Sequence, residues 1–469
     1  MQTEAKAVTT TEKPTLGTIK TSAVRRTATI SVQVSNVGMT GGAASTTLTL
    51  YLGTAEGKYD YSTNTLDVTS AKTYEFKDVR LPTIGKSYYT VVASNVSAGG
   101  TKTNEVFSKP GKITATDVTT YTWKGTDGDG DWTNPANWSH EGVADDDCYG
   151  YPKTAEASVA FAADTKATIT LGQAWTLTKL DLSAANVDVT FKLADGVTRD
   201  NAKLTATTLW LHGASGKLTL DGVKIVSNGT SNDPLAAETA PGVLTLGADY
   251  TLVLSNAAYL ATGTKCNFNN LQGGVISLSG ESTLDAGRYF MDKGAKTIIR
   301  DSTMYSGYQT RWSNTDGLVP VLRFEGTHPR FQATDYWFAP QDANADLRIE
   351  FCVPKDGYQK DEAAWAPLYS PATDARDRFG CDNEGGTVGT SGTASIYVER
   401  EVASSKELTT SLIYWKAGIY KAVAVRGSGL RNAIKFIWKD SSKAVTDSDL
   451  PVYLDATIPG SAGLLLIIR

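Results

Sequence analysis

Apolar and polar side chains alternate one for one along most of this chain. Ile30, Val32 and Val34 fall on one side of residues 27–34, and Leu48, Leu50 and Leu52 on one side of 47–52. Successive side chains leave a strand on opposite faces, so this period marks a half-buried strand. Gly41-Gly42 and Ala98-Gly99-Gly100 punctuate the runs. Roughly six or seven short strands in about 100 residues predict a β-sandwich. From about 157 to 333 the alternation continues without a helical period, as at 167–171, 187–193, 217–226, 250–254 and 275–278. Turn signals recur at Ala194-Asp195-Gly196, Leu220-Asp221-Gly222 and Gly247-Ala248-Asp249. Their spacing, in the twenties, is what one coil of a parallel β-helix requires. Beyond 334, Pro340, Pro354, Pro367 and Pro371 interrupt the pattern before strands resume near 394–398 and 411–415. The expected fold class is all-β: an N-terminal β-sandwich over 1–118, a Trp-rich cap and parallel β-solenoid (β-helix) over 119–333, and a C-terminal β-module or solenoid cap over 334–469.

Charge sharpens one boundary. Residues 1–118 hold 13 Lys+Arg against 9 Asp+Glu, and the remainder 32 against 41. A net charge of -5 over 469 residues lacks the basic excess that phosphate neutralisation demands, so no nucleic-acid partner is expected. No apolar run reaches the length of a membrane span. The first residues, Met1 to Lys6, carry no apolar core of an export signal. Threonine is abundant, at 62 residues, while Met and Cys number four each. That composition fits an extracellular or cell-surface protein of bacterial type.

Two segments carry family resemblances. Leu81-Pro82-Thr83-Ile84-Gly85-Lys86-Ser87-Tyr88 resembles the fibronectin type III corner, with one residue more than usual between Leu81 and Tyr88. The resemblance covers roughly 13–110 and implies a Tyr88 hydroxyl bonded back to the backbone. Trp123-Lys-Gly125, Trp132 and Asn137-Trp138 lie within sixteen residues, followed by Tyr151-Pro152 and Val159-Ala160-Phe161. This order resembles the segment that opens the β-solenoid of autotransporter-like bacterial surface proteins. An open solenoid end exposes unpaired edges and apolar core, so clustered tryptophans there imply a buried cap.

Candidate chemistry is sparse. Asp127, Asp129 and Asp131 are spaced like the first ligands of a calcium loop, but Trp132 and Trp138 stand where an EF-hand needs Gly and Glu. They form a candidate calcium site of looser type, weighed against a solvated turn, and no other cofactor is expected. Asp195, Asp221 and Asp249 lie beside turn residues, where Asp is favoured for backbone bonding alone. His140, His212 and His328 have no ligand-like spacing. Trp312 and Trp365 lie in loop-like contexts and are the candidate glycan contacts, weighed against packing. Cys352 and Cys381 are the expected disulfide, since about five coils would separate Cys148 from Cys266, on the order of 24 Å at strand spacing.

No enzymatic motif emerges. The expected role is a non-catalytic extracellular or cell-surface structural or adhesive protein, with an extracellular glycan or surface protein as partner. The alternative is a glycan-binding protein or carbohydrate-active enzyme, a polysaccharide lyase or glycoside hydrolase, on a β-helix. A groove with clustered carboxylates and a Lys or Arg would mark the enzyme.

Overall fold

Alternation along the chain becomes alternation between core and solvent in a computed structural model. It describes residues 13–37, 43–62, 65–115, 120–125, 128–140, 148–211, 215–230, 241–263, 266–314, 317–334, 337–341, 345–362, 365–371, 378–379, 393–400, 408–415, 423–425, 435–438 and 452–458. Among them the structure is all-β, with one 3-10 turn at Pro135–Asn137. Among the described residues no helix is long and apolar enough to cross a membrane. The chain divides into two compact units: residues 1–119 with 140–150, and residues 120–139 with 151–469.

The first unit consists of antiparallel strands in two sheets. Thr15–Val24, Thr27–Asn36 and Thr73–Arg80 form one; Ala43–Gly53, Gly85–Ser97 and Lys102–Phe107 are the main strands of the other. Ile30, Val32, Leu48, Leu50, Val91 and Ala93 share one buried core between them. The inward tyrosine after Leu81 is Tyr89, while the neighbouring Tyr88 is half-buried on the opposite face. The extra residue noted above explains this, because one residue of slip exchanges the two faces of a strand. Tyr89 lies across its cross-strand partner Gly111, where a Cβ would come within 2.1 Å of the ring. The hydroxyl of Tyr149 donates to the Ile84 carbonyl at 3.1 Å, so His140–Gly150 folds with this unit. The boundary expected at 118/119 places that segment with the region that follows instead.

The second unit is dominated by parallel pairing. A ten-stranded sheet runs in sequence order through Lys166–Leu171, Val187–Leu193, Gly216–Asp221, Tyr250–Ser255, Val275–Leu278, Lys296–Arg300, Val321–Glu325, Asp346–Val353, Thr393–Arg400 and Val423–Val425. Every pairing in it is parallel. One interior column illustrates the register: Ile169, Phe191, Leu220, Leu254, Leu278, Ile299, Phe324 and Phe351, each paired with the next and each fully buried. Intervening strands, among them Trp175–Asp181, Leu204–Leu211, Thr283–Met291 and Thr303–Trp312, belong to an eighteen-stranded, largely parallel sheet. Stacking identical faces in register brings like side chains together; Phe324 and Phe351 lie 5.1 Å apart and 9° from parallel.

The sheets continue across the expected boundary at 333/334. Val321–Glu325 pairs with Asp346–Val353, and Thr303–Trp312 pairs with Trp337–Pro340. The prolines that suggested a new module sit at strand ends instead: Pro340 closes one strand, and Pro354 follows another. A proline lacks an amide donor and is tolerated there. Parallel pairing gives way near the end, where Leu408–Trp415 pairs antiparallel with Val452–Ile458.

Candidate functional site

The tryptophan segment forms a buried knot at the first strand of the larger sheet. Thr120–Trp123 pairs antiparallel with Trp138–Ser139 and parallel with Ser158–Phe161. Trp123, Trp132 and Trp138 are all buried, as expected of a cap. The Trp138 ring stands edge-on to both others, at 4.9 Å from each. The Trp138 indole N–H donates to the Trp132 carbonyl at 2.8 Å, and the Trp132 N–H to Pro152 at 3.1 Å. Buried indoles need such partners.

Two of the candidate calcium ligands hold this knot from outside. Asp127 lies outside the described residues. The Asp129 carboxylate accepts from the Asn137 and Asn134 side-chain amides, at 2.5 and 2.6 Å, and from the Asp131 N–H at 2.9 Å. Those donors, the Asn137 amide first, hold its carboxyl below the usual range. Asp131 accepts from the Thr133 N–H and hydroxyl at 2.8 and 2.9 Å. A cation here would have to displace amide donors already on the carboxylates. Among the described residues no group of three or more His, Cys, Asp or Glu is placed to hold a metal.

The candidate glycan contacts are corrected by burial. Trp312 ends the strand Thr303–Trp312 and is fully buried against Phe338, with 5.2 Å between the rings. Trp365 is also fully buried and stacks on His328 at 4.7 Å. Neither indole offers a face to a sugar. Outward tyrosines do exist, in a row formed by Tyr305, Gln332, Tyr369 and Tyr414. Tyr369 and Tyr414, however, stack on each other at 5.3 Å, and the Arg330 guanidinium lies 4.2 Å over Tyr369. These ring faces are spent on neighbouring strands.

The densest charge lies on the outer face of the ten-stranded sheet. Arg300 meets Glu325 at 2.6 Å; Arg323 meets Glu325 at 2.5 Å and Glu350 at 2.7 Å; Arg348 also pairs with Glu350. Arg323 reaches toward Glu399 at 3.8 Å, and Arg348 lies 4.0 Å over the Tyr397 ring. Partial burial opposes the charge on Glu325, but Arg323 and Arg300 outweigh it and hold the carboxyl below its usual range. Arg323 is held protonated against its own burial by Glu325 and Glu350. Each carboxylate therefore faces a guanidinium, an arrangement that locks strands together and keeps both Glu325 and Glu350 engaged.

Cys352 lies beside this mosaic, with its thiol 3.9 Å from the Glu399 carboxylate. It is a buried free thiol; Cys148 and Cys266 are buried as well, while Cys381 lies outside the described residues. Burial, first, and the nearby glutamates push the Cys352 thiol up to about 12 despite Arg323. His212 too lies outside the described residues. The charge mosaic escaped the sequence reading, although Arg323-Phe-Glu325 and Arg348-Ile-Glu350 repeat one pattern at one coil's distance.

Comparison with known proteins found no matching family model, no matching curated protein and no matching solved structure.

Proposed function

We propose that the second unit is a parallel β-solenoid with a non-catalytic structural or adhesive role at a cell surface, preceded by a fibronectin type III-like sandwich. The strand order in the first unit supports the latter reading: three strands in one sheet face a second sheet built on a central pair, with one shared core. The unbroken parallel register of the ten-stranded sheet supports the solenoid.

The observation that carries the role is how the outer face spends its functional groups. Arg300, Arg323 and Arg348 answer Glu325 and Glu350 across successive strands. A general acid or base must reach substrate with an available proton site, and these carboxylates are engaged with their neighbours. Such ladders suit an extended scaffold that presents surface to an extracellular glycan or surface protein. The rival reading, a lyase or hydrolase, rests on the same clustered carboxylates and arginines.

The two are separated by incubating the purified chain with acidic and neutral polysaccharides and following new reducing ends and unsaturated products. Parallel binding assays use immobilised glycans and surface proteins. Binding without turnover is expected. Reproducible turnover abolished by Glu350→Gln would overturn the structural role in favour of the enzyme.

A further inference from the structure

Tyr305 differs from Tyr369 and Tyr414 in its outward row. Among the described residues no ring or cation lies against it, and its hydroxyl has no hydrogen-bond partner. Its surroundings follow from register. Asp285, Tyr305 and Gln332 are consecutive partners on the parallel strands Thr283–Met291, Thr303–Trp312 and Arg330–Ala333. All three are half-buried, while Leu284, Ala286, Met304, Phe331 and Ala333 beside them are buried, so the three face outward together. Two residues earlier on the first two strands, Thr283 and Thr303 are partners on the same face. Their short side chains lay a low floor beside the taller row. Tyr259, the strand partner of Thr283, stands at one end of that floor, and Arg330, the partner of Thr303, at the other.

Asp285 is held from one side only. The Tyr259 hydroxyl donates to its Oδ2 at 3.0 Å. Burial, first, and the Asp285 charge push that phenol up to about 12, so it keeps its proton and the bond persists at neutral pH. The Asp285 Oδ1, the Gln332 amide and the two threonine hydroxyls take no hydrogen-bond partner among the described residues. Glu325 and Glu350 show the opposite arrangement, each facing an arginine.

Charge around the row decides the kind of ligand. Lys224 pairs with Asp200 at 2.7 Å, Arg199 donates to the Ala257 carbonyl at 2.5 Å, and Arg330 meets Glu362 at 3.0 Å. Arg288 is buried against the Tyr308 ring. The cations are engaged while Asp285 presents a carboxylate oxygen, so an anionic ligand would meet repulsion. What the row offers is an uncovered ring between an acceptor and an amide that both donates and accepts, beside two hydroxyls. Sugar hydroxyls match that set, and the apolar face of a pyranose matches the ring.

We infer that Asp285, Tyr305 and Gln332 form a binding site for an uncharged glycan, laid across the strands over Thr283 and Thr303. Partners on adjacent strands lie about 4.8 Å apart, so the row spans about 10 Å. That length takes about three pyranoses of an extended chain, one per strand. The site rests on the adhesive reading above and gives it a ligand class.

The full chain is tested against an array of neutral and uronate-bearing oligosaccharides of increasing length, with immobilised surface proteins beside them. Neutral oligosaccharides should bind, with affinity rising to about three residues and then levelling. Tyr305→Ala and Asp285→Asn should each weaken that binding about tenfold, and Gln332→Ala by less. Thr190→Ala, on the outer face of the ten-stranded sheet, should leave it unchanged. Should Tyr305→Ala fail to fold, Asp285→Asn and Gln332→Ala decide. The site is overturned if no neutral oligosaccharide binds, if uronate oligomers bind more tightly, or if neutral binding survives these substitutions. Capture by surface proteins alone overturns the site and leaves the adhesive role standing. Polysaccharide turnover abolished by Glu350→Gln, read from products, overturns the role itself.

Discussion

Gly130 and Gly128 provide a matched pair for testing whether the tryptophan knot closes the edge of the ten-stranded sheet. Both have φ of +67°, so alanine at either carries the same left-handed strain, about 1–2 kcal/mol. Their surroundings differ. A Cβ at Gly128 meets nothing within 4 Å, whereas one at Gly130 would lie 2.2 Å from the Thr168 carbonyl oxygen. The Gly130 carbonyl also accepts the Thr170 N–H at 2.8 Å, and Asp131 bridges to Thr170 in parallel sense. Relieving the clash means moving the segment away from Lys166–Leu171, which costs about 1–3 kcal/mol for the Thr170 bond it breaks. Gly130→Ala therefore sums to about 2–5 kcal/mol, and Gly128→Ala to about 1–2. Hydrogen exchange at residues 166–171 reads the difference locally, avoiding a two-unit unfolding curve that need not be two-state. Gly130→Ala should lower protection there at least about fivefold more than Gly128→Ala. Equal protection in the two variants would refute the edge-closing contact.

Two further outcomes follow from the outer face. Arg323 and Arg300 depress the Glu325 carboxyl, so its stabilising contribution is present above the ordinary carboxylate range and lost as pH falls through the lowered folded value. Denaturation midpoints of the second unit should drop on acidification, and Arg323→Met should shrink that drop while costing about 1 kcal/mol at neutral pH; an unchanged acid profile would refute the coupling. The Cys352 thiol, buried and pushed up to about 12, should resist alkylation at pH 8 in the native chain and react on denaturation. Rapid native labelling of Cys352, located by peptide mass, would contradict that burial.

The sequence made strands legible because each carries its own period: Ile30, Val32 and Val34 are all buried in the first unit, and Val187, Val189 and Phe191 in the second. Register was far less legible. Asp221 ends the strand Gly216–Asp221, whereas Asp249 precedes Tyr250–Ser255. The same turn signal thus falls at opposite ends of neighbouring strands, and these residues do not mark one edge. Asp221 instead accepts from the Asn256 amide on the next strand's turn. Trp312 looks like a loop residue in Arg311-Trp312-Ser313-Asn314, but Arg311 belongs to the outward face of a strand whose inward face ends in Trp312. Composition cannot separate these cases; parity along the strand does. Interior polar contacts were equally hidden. The buried Tyr289 hydroxyl meets Thr297 and the Asn270 amide, and no local pattern announces bonds between three strands.

Proximity across the parallel stack tests the central claim most directly. Thr219 and Val253 are register partners on adjacent strands, and Val253 is the partner of Ser277 on the next. Adjacent parallel strands lie about 4.8 Å apart, so Thr219 and Ser277 are about twice that distance apart. Cysteines replace Thr219 and Val253, or Thr219 and Ser277, in a chain whose four native cysteines are serine. A bifunctional thiol reagent spanning about 5 Å should then cross-link the first pair rapidly and the second poorly, read by mass spectrometry of the digested chain. Equal yields from the two pairs, or preferential linkage of Thr219→Cys to Ser277→Cys, would contradict the parallel stack on which the proposed role depends.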